Sequence, residues 1–212
     1  MKLSITLWLI IINFIVFFGQ LVFSGIDLIP GSHGEIVTDL LGLNIQTLIT
    51  RGYIWQIFTY MFVHGDFLHI FYNMFGLMIF GPKIELTMGR NRFLKYYLIC
   101  GVFSSLFYMA ITTIYSGITN IPMVGASGAI FGVLTAYGLM YPRDTVYVQF
   151  FLPMPAIVFV FFYGALQLVL GVATLGMEGG IAYFGHLGGM IAGFVLIKYF
   201  DYGRRRIRYF WE

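Results

Sequence analysis

The chain has 212 residues, 59% of them hydrophobic and only 10% charged. Soluble domains carry about 25% charged residues, so this composition excludes a soluble globular protein and points to an integral membrane one. The net charge of +3 is too small, and its basic residues too clustered, for a nucleic-acid binder. The single cysteine, Cys100, rules out an internal disulfide and a cysteine-rich metal site.

Six hydrophobic spans predict an all-α, polytopic bundle forming one domain over residues 1–212. They lie at about Leu3–Phe23, Phe67–Gly81, Phe93–Tyr115, Gly125–Met140, Met154–Thr174 and Ala182–Phe200. A helix needs about 20 residues to cross a ~30 Å hydrocarbon core. The first, third and fifth spans qualify, whereas the second and fourth are short. Lys2 and the apolar run after it have the outline of a signal peptide. The run is longer than an ordinary signal core and no A-x-A site follows, so a retained helix is expected.

Between the first two spans runs a long mixed loop, about residues 24–66, and a short basic tail occupies residues 201–212. Basic residues set the orientation. Lys2, Lys83, Arg90, Arg92, Lys95, Arg143, Lys198 and the "RRRIR" run at 204–208 share one side, and only Arg51 falls on the other. The positive-inside rule then places both termini in the cytosol, as an even span count requires. The short tail and the lack of further domains suggest a prokaryotic plasma membrane. "RRRIR" serves as a topology anchor and could also meet anionic lipid.

Few polar residues enter the spans. The second begins "HGDFLHIFYN", supplying His64, Asp66, His69 and Asn73. His69 and Asn73 are four residues apart and share a helix face. They suit either a polar clamp between helices or a functional pair. His64 lies just outside the span and reads as structural, tying down the first loop. Asp66 reads as an interfacial residue or helix cap.

The fourth span opens "GASGAIFG", with Ser127 beside Gly125 and Gly128, and the sixth carries His186 in "GHLGGMIAG". Gly128 and Gly132 form one small-residue stripe, and Gly185, Gly189 and Gly193 another; such stripes let helix backbones approach closely. Packing the fourth span on the sixth brings Ser127 and His186 within hydrogen-bond reach. A lone buried serine usually bonds its own helix, and a lone buried histidine is usually a satisfied core group. Two of them, each beside a glycine seam, suggest chemistry. Ser127 falls in the first turn of a helix, where free amides and the macrodipole favour a developing oxyanion. A neutral His186 can take the serine proton, and His69 and Asn73 can add donors to the oxyanion.

A metal site would need three or four converging ligands. His64 and His69 are five residues apart, H-E-x-x-H is absent, and no carboxylate lies deep in a predicted span. Neither a metal nor a cofactor is expected. Asp66 does not clearly approach His186, so a two-residue dyad is predicted rather than a triad.

These pieces resemble the rhomboid family of intramembrane serine proteases. The resemblance covers about residues 50–195 and rests on "WQIFTYMFVHGDFLHIFYNMFG", the "GPKIELTMG" turn, "GASGAIFG" and "GHLGGMIAG", all in order. They match the family's H-x₄-H-x₃-N, its G-x-x-x-E turn, its G-x-S-G and its histidine followed by glycines at i+3 and i+7. The resemblance implies that Ser127 is the nucleophile and His186 the general base. His69, Asn73 and the Ser127 amide would form the oxyanion hole. His64, Glu85, Gly189 and Gly193 would be structural, with Trp55, Gly125, Gly128 and Phe131 in support. It further implies a partly embedded first loop and a fifth span that gates substrate.

Two departures stand out. The family's Trp-Arg is here Trp55-Gln56, with Arg51 a candidate substitute. A tyrosine that often stacks on the catalytic histidine is here Phe131, which keeps the ring and lacks the hydroxyl. The expected function is therefore a serine endopeptidase that cleaves transmembrane or juxtamembrane segments of other proteins in the lipid bilayer. The alternative is a catalytically silent relative that binds membrane helices, a class that typically lacks the serine or the histidine. A small transporter would predict an inverted repeat about a midplane site, and none is evident.

Overall fold

The computed structural model describes residues 3–23, 35–148, 151–175 and 182–199. The start of the predicted first loop, the segment around Glu178 and the basic tail with "RRRIR" lie outside the described residues.

Helix α1 (Ile5–Phe23) leads into three short helices, α2 (Ile36–Leu41), α3 (Ile45–Arg51) and α4 (Gln56–Thr59), followed by a 3₁₀ turn at Tyr60–Phe62. Then come α5 (Phe67–Met88), α6 (Arg90–Ser116), α7 (Ser127–Met140), a hairpin of β1 (Thr145–Val148) and β2 (Leu152–Pro155), α8 (Ala156–Ala173) and α9 (Ala182–Tyr199). Helices α1, α5, α6 and α8 are long and apolar enough to cross a membrane; α7 is a shorter apolar helix of 14 residues. With outward residues such as Ile15 (64% exposed) and Phe161 (70% exposed), these helices bare apolar faces that suit lipid rather than water.

The second span is longer than its sequence suggests. Gly81-Pro82 reads as a break, yet α5 runs on through Pro82 for 22 residues, about 33 Å at 1.5 Å per residue. "GPKIELTM" is thus helical rather than a turn. Proline is tolerated inside packed membrane helices because neighbours re-satisfy the freed backbone. The extension has a visible role: Glu85, 5% exposed, accepts hydrogen bonds from Ile5 N (2.7 Å), Thr6 N (2.8 Å) and Thr6 Oγ1 (2.8 Å). Its carboxylate caps the positive end of α1. Beside it, a Cβ on Gly81 would stand 2.8 Å from Thr6 Cγ2, so the two helices cross closely there.

The hairpin is an element the span pattern missed, and it takes Met154 out of the fifth helix. Its register pairs Thr145 with Pro155 and Val148 with Leu152. Asp144 precedes it, held by Lys83 of α5 and by the Tyr137 hydroxyl (2.8 Å). Burial works to raise the Asp144 carboxyl, but the bonds from Lys83 and Tyr137 and the lysine charge outweigh it and hold the pKa below 3.8.

Short α7 lies at the centre, packed by α5, α6, α8 and α9. Its contact with α9 is backbone against backbone. A Cβ on Gly189 would collide with the Gly128 carbonyl, and one on Gly193 would stand 2.9 Å from the Gly132 carbonyl oxygen. Helix α6 pins both: Tyr96 Oη donates to Gly132 O at 2.7 Å, and Ser104 Oγ donates to Gly185 O at 2.7 Å.

Candidate active site

The segment before α7 fixes the position of Ser127. Leu43 and Met123 exchange both backbone hydrogen bonds, at 3.0 and 2.8 Å, and Gly125 N donates to Tyr60 O at 3.1 Å. Tyr60 in turn donates from its hydroxyl to Gly101 O at 2.7 Å, which anchors the segment to α6. Gly125 has φ +112, a conformation that side chains rarely adopt. Ala126 is the helix cap and Ser127 the first residue of α7, two residues later than the predicted start of the span. The first intrahelical bond runs from Ile130 N to Ala126 O. The amides of Ser127 and Gly128 therefore precede the helical ladder.

Across the glycine seam, Ser127 Oγ lies 2.7 Å from His186 Nε2. Phe131, one helical turn beyond Ser127, stacks on the imidazole with ring centroids 4.5 Å apart and an interplanar angle of 13°. The far ring nitrogen, His186 Nδ1, lies 2.7 Å from Gln167 Oε1 on α8. The sequence reading missed Gln167. The available signal was one amide in the otherwise apolar run "VFFYGALQLVLG".

His69 and Asn73 border the same place from α5. Asp66 caps that helix, accepting from His69 N at 2.8 Å. Gly65 N donates to His69 Nδ1 at 3.4 Å, which leaves the ring proton of a neutral imidazole on Nε2. That nitrogen faces Gly125: a Cβ on Gly125 would lie 2.5 Å from His69 Nε2 and 3.8 Å from Asn73 Nδ2. The bare glycine thus leaves a niche between the start of α7 and two nitrogen donors. Asn73 Nδ2 also donates to His69 O at 2.8 Å, the clamp-like bond of an i,i+4 pair.

Other singled-out residues frame the site. His64 is 1% exposed, and its ring sits edge-on to His69 at 5.1 Å. Burial, then the neighbouring His69, pushes its pKa down to about 3. Its backbone N donates to Gln20 Oε1 (3.0 Å) while Gln20 Nε2 donates back to His64 O (2.8 Å), joining the segment to α1. Trp55 donates from Nε1 to Leu40 O at 2.8 Å. Gln56 is fully buried; its Nε2 donates to Asp39 O (2.9 Å), and its Oε1 accepts from Asn44 N (3.2 Å) and Thr47 Oγ1 (3.0 Å). The loop is anchored by Gln56 itself, while the suggested substitute Arg51 is exposed at the end of α3. Among the described residues no three His, Cys, Asp or Glu side chains converge as a metal site.

A rhomboid domain model matches residues 51–202, most of the chain. The chain belongs to the rhomboid family. It is 30% identical over 207 residues to Rhomboid protease AarA of Providencia stuartii, covering 90% of this chain and 70% of that protein. RHOMBOID-like protein 1 of Arabidopsis thaliana is 30% identical over 159 residues, and the mitochondrial presenilin-associated rhomboid-like protein of Bos taurus is 35% identical over 150. Those matches cover 73% and 69% of this chain but only 36% and 37% of the relatives' lengths. The rhomboid chain is an integral, multi-pass membrane protein, and its relatives occur in bacteria, plants and mitochondria.

Proposed function

We propose that this rhomboid is an intramembrane serine endopeptidase that cleaves transmembrane or juxtamembrane segments of other membrane proteins. The observation that carries the reading is the 2.7 Å contact between Ser127 Oγ and His186 Nε2 at the start of α7. In this reading Ser127 attacks the scissile carbonyl as His186 takes its proton. The tetrahedral oxyanion meets the Ser127 amide, His69 Nε2 and Asn73 Nδ2. His186 then protonates the leaving amine, and water activated by His186 hydrolyses the acyl-enzyme. An intact substrate helix hides its carbonyls in hydrogen bonds, so helix-breaking residues near the cleavage point help.

The architecture that goes with this function is one domain of six spans, with α7 and α9 added to the four helices long and apolar enough to cross a membrane. In this reading both termini face the cytosol, as the distribution of basic residues suggests, and the membrane is a prokaryotic plasma membrane. A fluorophosphonate probe tests the chemistry. Ser127 is labelled and no other serine is; labelling vanishes in Ser127→Ala and nearly vanishes in His186→Ala. Wild-type labelling rates in folded His186→Ala overturn the dyad.

A further inference from the structure

We propose that Gln167 is a positioning residue that fixes the tautomer and orientation of His186, so that the working unit is Ser127–His186–Gln167. The inference rests on the protease reading above. Gln167 is the one amide side chain of α8, a helix otherwise built of apolar residues, glycine and one tyrosine. It is 6% exposed. Burying an unsatisfied amide in a membrane helix is costly, and the partner its oxygen meets is His186 Nδ1, at 2.7 Å.

That partner decides where the imidazole proton sits. A neutral imidazole carries one N–H. A carbonyl oxygen only accepts, so a neutral ring facing Gln167 Oε1 holds its proton on Nδ1. Nε2 then presents a lone pair to the Ser127 hydroxyl, 2.7 Å away. The opposite tautomer would put a proton on Nε2 and leave it unable to accept from serine. When Nε2 takes the serine proton, the Nδ1–H bond to Gln167 persists, so the ring keeps its place through the step. Phe131 fixes the plane of the ring by stacking on its face, and Gln167 fixes its rotation within that plane. Because Gln167 stands on α8, Ser127 on α7 and His186 on α9, alignment requires all three helices to be docked.

The test compares the full-length protein with Gln167→Met, which keeps length and apolar packing without an acceptor, and Gln167→Glu, which keeps an acceptor at the same reach. Proteolysis kinetics, fluorophosphonate labelling of Ser127 and ¹⁵N-histidine NMR are measured on each. In Gln167→Met, kcat should fall about 10- to 100-fold, by analogy with the loss when the hydrogen-bond partner of a metal-ligating histidine is removed, with KM near wild type. Gln167→Glu should restore most of the rate. The wild-type His186 spectrum should show the proton on Nδ1, and Gln167→Met should lose that preference. Wild-type kcat in Gln167→Met, or a wild-type His186 protonated on Nε2, overturns the proposal. If Gln167→Met fails to fold, the wild-type tautomer still decides. Failure of the protease reading is separable, because there wild-type Ser127 itself goes unlabelled.

Discussion

Ser127 and His186 are 59 positions apart in the chain yet meet at 2.7 Å, and the residues around them explain why. Glycine stands wherever a side chain would separate the two helices or fill the niche beside His69. The donors of that niche can be tested singly. Asn73→Ala should lower kcat more than it changes KM, since an oxyanion donor acts in the transition state. Removing one such donor costs about 10²–10³ elsewhere; with His69 and the Ser127 amide remaining, the loss should stay below that of Ser127→Ala. Unchanged turnover in folded Asn73→Ala would reduce Asn73 to its bond with the His69 carbonyl.

His64 supplies a test by pH. Its folded pKa of about 3 lies below the ordinary 6.5, so the unfolded chain binds a proton that the folded chain refuses. Folding stability is therefore full above about pH 6.5 and declines as pH falls toward 3. At pH 5 the loss should be about 2 kcal/mol. Thermal unfolding in detergent should show His64→Phe losing that much less stability than wild type between pH 7 and pH 5. Equal losses would mean that His64 does not resist protonation.

Among the elements, the α7–α9 seam carries the most weight. Gly189→Ala would drive a methyl group into the Gly128 carbonyl, and overpacking of this kind costs about 1–3 kcal/mol, sometimes more. It should lower the unfolding temperature and, by separating Ser127 from His186, abolish labelling. A variant that stays fully labelled would show that the helices can part without losing the contact. This seam was legible in the sequence because glycines at fixed helical intervals sit beside the two polar residues. Gln167 was not, since one amide in an apolar run does not disclose which neighbour it faces. Helix α5 was read too short because Gly81-Pro82 has the form of a helix break, while the partner that rewards continuation, the N-terminus of α1, is 79–80 residues away. The hairpin was missed because β2, "LPMP", carries two prolines in four residues; proline lowers a strand reading unless the strand is at an edge, as both strands of a two-stranded sheet are. The change from Trp-Arg to Trp55-Gln56 suggested Arg51 as a substitute, yet Gln56 itself both donates and accepts, and its bonds join α2, α3 and α4.

At the scale of the whole molecule, the proposed topology and the proposed activity make one claim: a serine centre near the outer end of α7, in a helical bundle with cytosolic termini. In a Cys100→Ala background, a cysteine at Ser116 should react with an impermeant maleimide from outside, and one at Tyr147, in the exposed hairpin, only from the cytosolic side. The reverse pattern would invert the orientation drawn from the basic residues. The central claim is proteolysis within the bilayer, and the most direct measurement is cleavage in proteoliposomes. Purified protein is co-reconstituted with single-span proteins carrying helix-breaking residues in the outer half of the span, and the products are mapped by mass spectrometry. The account predicts a cut within or beside the span by wild type, and none by Ser127→Ala or by His186→Ala. Cleavage that persists in Ser127→Ala would contradict it.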